Sequence, residues 1–99
     1  MSEQFEGAGE AFQNLLKTVA QLRDPLEGCP WDLEQDSLSL LPYLLEEAQE
    51  FMSSVQRNDQ DSIVEELGDV FFQVVLHSQI AFEKKLLLSS KCVKNLMPN

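Results

Sequence analysis

The sequence predicts an all-α chain: an antiparallel helical hairpin plus an N-terminal helix, completed into a four-helix-type bundle by dimerisation. Three observations lead there. Apolar residues recur at helical spacing in three segments. Polar, turn-forming stretches separate them. The third segment, "EELGDVFFQVVLHSQI" from Glu65 to Ile80, is apolar around most of its circumference. One short chain has too little partner surface to cover such a helix.

From about Glu10 to Leu22, apolar residues fall at Ala11, Phe12, Leu15, Leu16, Val19 and Leu22, a helical stripe. Residues 23–32, "RDPLEGCPWD", hold two prolines and a glycine and read as an ordered loop rather than a helix. A second helix starts near Asp36 or Ser37, both good N-caps. Leu44, Leu45, Ala48, Phe51, Met52 and Val55 form its stripe. Pro42 disturbs it little if the true start lies near Leu40. "RNDQD" (57–61) is the expected turn, and Asp61 or Ser62 the expected cap of a third helix running to about Lys84.

Ninety-nine residues make one small domain. The expected division is a flexible N-terminus over 1–9, the helical domain over 10–84 and a basic tail over 85–99. Hydrophobic residues at 43% exclude a disordered chain. Net charge is −10, with all 17 acids within residues 1–83 and Lys84, Lys85, Lys91 and Lys94 beyond them. That balance argues against nucleic-acid and membrane partners. It leaves a phosphate-bearing substrate open where cations stand between the charges. Cys29 and Cys92 sit in no CxxC pair, so neither zinc nor a disulfide framework is expected. No secretory signal is read in "MSEQFEGAGE", and a cytoplasmic location is expected.

The acids carry the chemistry. On the second helix Glu47 and Glu50 share a face, and on the third Glu66 and Asp69 do, with Gln73 and His77 extending the line. Fold the helices back about Asn58 and the pairs match in depth. Glu50 and Glu66 each lie eight residues from Asn58, Glu47 and Asp69 eleven, Tyr43 and Gln73 fifteen. Four carboxylates at matching heights repel unless protonated or neutralised. Oxygen-only ligands suit Mg²⁺, or Mn²⁺. Metal-assisted attack of water on a phosphate is the chemistry such a site performs. A solvated acidic face, the ordinary fate of Glu-rich helices, is the alternative.

These residues resemble a known family. "LRDPLEGCPWDLEQ" (22–35), "YLLEEAQE" (43–50) and "EELGDVFFQVVLHSQIA" (65–81) are similar to the MazG-type nucleotide pyrophosphohydrolases of the all-α NTP pyrophosphatase superfamily. Its EExxE…ExxD signature reads here Glu46, Glu47, Glu50, then Glu66 and Asp69. The resemblance implies a homodimer or higher homo-oligomer and Mg²⁺ on Glu47, Glu50, Glu66 and Asp69. It implies hydrolysis of a nucleoside triphosphate to the monophosphate and pyrophosphate, in the clearing of non-standard nucleotides. Glu46 and Glu47 are then the catalytic candidates, Glu46 either as a support behind the ligands or as a general base.

Substrate contacts are assigned to Trp31, Arg23 and Lys84. Trp31 either stacks on a base or plugs the bundle end. Arg23 either binds phosphate or pairs with Asp24 or Asp32. His77 reads as a core histidine with a hydrogen-bond partner, and Cys29 as an inert thiol. The chain departs from the family at Asp36, Ser37, Leu38 and Leu41, where Thr, His, Glu and Arg are usual, and in its "KKLLLSSKCVKNLMPN" end. Those departures motivate the competing reading, a catalytically weak or inactive helical dimer that binds metal and nucleotide.

Overall fold

A computed structural model describes residues 5–84. The tail over 85–99 and the first four residues lie outside the described residues. Four helices follow in order: α1 Ala8–Leu22, α2 Pro30–Leu33, α3 Ser37–Gln56 and α4 Gln60–Glu83, and no strand occurs among the described residues. The chain divides into two compact units, at Glu34 and Gln35. The all-α reading holds, and the antiparallel hairpin is α3 packed on α4.

The first unit contains α1, a loop and α2. Gly7 precedes α1 with φ of 80°. The helix ends where the Arg23 N–H donates to Val19 and Ala20 carbonyls, just before Pro25, which cannot extend it. Asp24 then builds the loop. Its Oδ1 accepts the Leu26 N–H at 2.8 Å and the Glu27 N–H at 3.2 Å, an Asx turn. Its carbonyl accepts the Gly28 N–H at 2.8 Å, and Cys29 N–H reaches Leu22 O at 3.0 Å. The expected irregular loop is thus shorter than 23–32. Pro30 stands at the first turn of a short helix, where a missing N–H costs nothing.

In the second unit Asp36 caps α3 through a reciprocal box. Ser39 N–H donates to Asp36 Oδ1 at 2.7 Å, and Asp36 N–H to Ser39 Oγ at 3.0 Å. The helix starts at Ser37, so Pro42 falls inside it rather than in a first turn beginning near Leu40. The Leu38 carbonyl loses the N–H that another residue at 42 would give it.

The hairpin turn is tighter than "RNDQD" suggests. Asp59 N–H donates to Ser54 O at 3.2 Å and Asn58 N–H to Val55 O at 3.0 Å, the two bonds of a Schellman ending. Asn58 takes the required left-handed conformation, φ 56°. Asp59 then caps α4, accepting from the Ser62 N–H at 3.3 Å and the Ser62 hydroxyl at 2.9 Å. The cap is therefore Asp59, not the expected Asp61 or Ser62. The Schellman ending already brings the chain round at Asn58, so the next residue opens the new helix. Leu40, Val75, Leu76 and Ile80 are the buried apolar residues among the described residues of this unit.

Candidate metal centre

The register about Asn58 sets which side chains meet. Glu47 of α3 and Glu66 and Asp69 of α4 each bring one carboxylate oxygen into a group whose members all lie within 4.8 Å of one another. Glu47 and Glu66 are half-buried, and Asp69 is exposed. Glu47 Oε2 and Glu66 Oε2 are buried without a hydrogen-bond partner. Buried polar atoms in that condition are uncommon and costly.

Glu50 stands outside this trio, but its carboxylate acts on both Glu47 and Glu66. Burial, the Glu50 hydrogen bond and the charges of Glu50, Asp69 and Glu47 push Glu66 up to about 7. Burial and the charges of Glu50, Asp69 and Glu46 raise Glu47 in the same direction. The acids of the cluster therefore load their charges onto one another. An all-oxygen set with unsatisfied lone pairs fits a hard divalent cation.

Of the remaining site candidates, Glu46 and Lys84 belong to the same unit as the trio. Glu46 is exposed beside Glu47 and adds to its field. Lys84 stands just past the end of α4, fifteen residues beyond Asp69, or about 22 Å along the axis. The nearer effect of its charge is on Asp36. That carboxyl is held low first by the Ser39 N–H, with Lys84 adding in the same direction. Trp31 and Arg23 belong to the first unit. Trp31 is about half exposed, at 49%. Arg23 donates to the Asp32 main-chain carbonyl.

His77 has the partner expected of a core histidine, with Nδ1 3.1 Å from Ser37 Oγ. Burial lowers its pKa, which favours the neutral ring. Two features escaped the sequence reading: His77 Nε2 and Gln73 Oε1 are buried without partners, on the face that carries Glu66 and Asp69. Only the shared face was legible. Satisfaction of individual atoms depends on neighbours the spacing does not name.

Residues 35–97 match the model of the MazG nucleotide pyrophosphohydrolase domain. The chain belongs to that family. The match takes in both hairpin helices, and so every acid of the cluster in this MazG domain. Curated relatives agree. A nucleoside triphosphate pyrophosphohydrolase/pyrophosphatase MazG of Thermotoga maritima is 42% identical over 89 residues, 90% of this chain and 34% of that protein. A nucleoside triphosphate pyrophosphohydrolase of Escherichia coli K12 is 47% identical over 73 residues, 74% of this chain and 28% of that protein. One of Mycolicibacterium smegmatis is 41% identical over 69 residues, 70% of this chain and 21% of that protein. The MazG chain described here thus spans about a third or less of the relatives it matches.

Proposed function

We propose that this MazG chain hydrolyses a nucleoside triphosphate to the monophosphate and pyrophosphate, with Mg²⁺ or Mn²⁺ held by Glu47, Glu50, Glu66 and Asp69. One observation carries the reading. Carboxylate oxygens from two helices converge within 4.8 Å, and two of the acids keep a buried oxygen without a partner. The relatives' names, nucleoside triphosphate pyrophosphohydrolase, support the substrate class.

When bound, the cation neutralises phosphate charge and lowers the pKa of water. The residues do the rest. Glu47, Glu66 and Asp69 hold their oxygens in place from two packed helices, so little reorganisation remains for the reaction. Water attacks the α-phosphorus, the bond to the bridging oxygen breaks, and pyrophosphate leaves. Glu46, exposed at the rim, is the proposed acceptor of the water's proton. Lys84 stays a proposed phosphate contact, about 22 Å along the α4 axis from Asp69. Trp31 and Arg23 stay proposed substrate contacts on residue type alone.

The proposal includes a homodimer. Val64, Leu67, Phe71 and Val74 of α4 follow the i, i+3, i+7 spacing of a bundle seam yet are exposed, Val64 at 72%. Leu38, Leu41, Leu45, Met52 and Val55 trace a matching exposed stripe on α3. Contiguous apolar surface of this kind marks an association face.

Release of pyrophosphate from a panel of nucleoside triphosphates with Mg²⁺ tests the activity, repeated with Glu47→Gln. Turnover that Glu47→Gln abolishes is the expected result. No turnover on any nucleotide, or an unaffected variant, overturns it. One observation favours a second reading, the weak or inactive nucleotide-binding dimer. Leu38 and Leu41 present exposed apolar surface at the start of α3, where polar side chains would hold phosphate better. Mg²⁺-dependent nucleotide binding without product would favour it.

A further inference from the structure

The polar line of α4 does not stop at the acids. Gln73 lies one turn beyond Asp69 and His77 two turns, rises of about 6 and about 12 Å on the same face. Each carries a buried atom with no partner, Gln73 Oε1 and His77 Nε2. With Nδ1 beside Ser37 Oγ, the ring is held from behind and its other nitrogen is left for something else. In the opposite direction, toward the turn, the line closes. Ser54 is buried at 1% exposure, but its hydroxyl donates to the Glu50 carbonyl at 3.1 Å. Among the described residues, unsatisfied groups therefore extend from the carboxylate cluster toward one end of the hairpin.

We propose that Gln73 and His77 bind the nucleoside half of the substrate, through a sugar hydroxyl or a base-edge N–H, while its phosphates lie at the carboxylates. This rests on the nucleotide reading above and adds a direction to it: the nucleoside points along α4 toward Ser37. The pairing is chemically specific. A carbonyl oxygen accepts one hydrogen bond, and a neutral imidazole nitrogen gives or accepts another according to its tautomer. A hydroxyl, or an amino group beside a ring nitrogen, meets both demands at once. A bare pyrophosphate offers neither a sugar hydroxyl nor a base edge, and its oxygens are the groups that a cation at the carboxylates draws in. The two residues thus distinguish a nucleotide from its leaving group.

His77 is the single histidine of the chain, so its ring signal in a nuclear magnetic resonance spectrum needs no assignment by mutation. The intact chain is titrated with Mg²⁺ alone, with Mg²⁺ and pyrophosphate, and with Mg²⁺ and a nucleoside triphosphate carrying a methylene between the α- and β-phosphorus. The expected result is a shift of the His77 resonances with the nucleotide only. Gln73→Met supplies an independent readout: its KM for nucleoside triphosphate rises about tenfold, with the Mg²⁺-induced gain in melting temperature preserved. A His77 signal that stays put while calorimetry records nucleotide binding overturns the proposal and leaves the pyrophosphohydrolase reading standing. So does a Gln73→Met chain with unchanged KM and a higher melting temperature, the signature of an orphaned group removed. No binding of the analogue at all removes both readings.

Discussion

Glu47 on α3 and Glu66 on α4 face each other across the hairpin, each with one buried carboxylate oxygen that nothing among the described residues satisfies. The repulsion between them is a cost that the fold carries in the absence of a cation. Glu66→Gln removes one charge while keeping the shape. The metal-free variant should therefore melt above the parent chain. In millimolar Mg²⁺ the order should reverse. A ligand held only by the folded state adds about 2.7 kcal/mol at a hundred times its dissociation constant, and the variant forfeits that gain. Turnover should fall further than the roughly ten- to hundredfold seen when a residue merely supporting a ligand is lost. Thermal melts with and without Mg²⁺, then with chelator, check all three outcomes.

The same cluster predicts a pH dependence. Glu66 is raised to about 7 from an ordinary value near 4.5. The folded chain thus binds more protons than the unfolded chain between those limits, and stability falls as pH rises through them. His77, lowered by burial, acts in the opposite sense below its usual 6.5. Comparing variants separates the two. The melting gain of metal-free Glu66→Gln over the parent chain should be larger at pH 7.5 than at pH 5. Equal gains at both values would contradict the assigned cause.

Much of this was legible in the sequence because helix periodicity is a backbone property. Glu47, Glu66 and Asp69 come together at the depths that counting outward from Asn58 gives. The count works because the turn is centred on a residue tolerant of φ 56°. Glu50 belongs to the same expected ligand set, and the group within 4.8 Å is made by the other three, with Glu50 acting on it through its charge. Face-sharing fixes a direction to within a side chain's reach, not an oxygen position. The caps were harder for a related reason. Asp59 and Asp61 are both good N-caps, and only the Schellman bonds from Asn58 and Asp59 select the earlier one.

That selection is itself testable. Asp59→Ala removes the acceptor for the Ser62 N–H and hydroxyl, whereas Asp61 already lies inside the first turn. Asp59→Ala should lower the melting temperature clearly, and Asp61→Ala should change it far less. Loss of the Asp59 effect at acid pH would follow too. Its carboxyl is held below the usual value by the Ser62 bonds, so its contribution vanishes as pH falls through that lowered pKa.

Gly28 offers a stability test in the first unit. A Cβ placed there would lie 2.5 Å from both the Asp24 and the Leu22 carbonyl oxygens. Those same carbonyls accept the Gly28 and Cys29 N–H groups, so neither can withdraw without breaking the loop's own bonds. Gly28→Ala should destabilise by about 1–3 kcal/mol, the usual cost of forcing atoms into a filled space. Gly9→Ala is the control, since nothing lies within 4 Å of its added Cβ and it sits in α1, where alanine suits a helix better. Denaturant melts of the two variants should move in opposite directions.

The exposed seam leads to the last prediction. Leu67 and Phe71 stand half exposed at adjacent contact positions of α4, 50% and 43%. A solvent-facing stripe this apolar on both hairpin helices fits a face covered by a second copy. Light scattering on the parent chain should give twice the 11.2 kDa monomer mass or a higher multiple. Leu67→Glu with Phe71→Glu should shift it to the monomer, because two charges buried at a seam without partners cannot be tolerated. A parent chain of monomer mass at high micromolar concentration would remove the dimer. If the seam also braces the helices that hold Glu66 and Asp69, the monomeric variant should bind Mg²⁺ more weakly. Calorimetry on the two forms measures that difference directly.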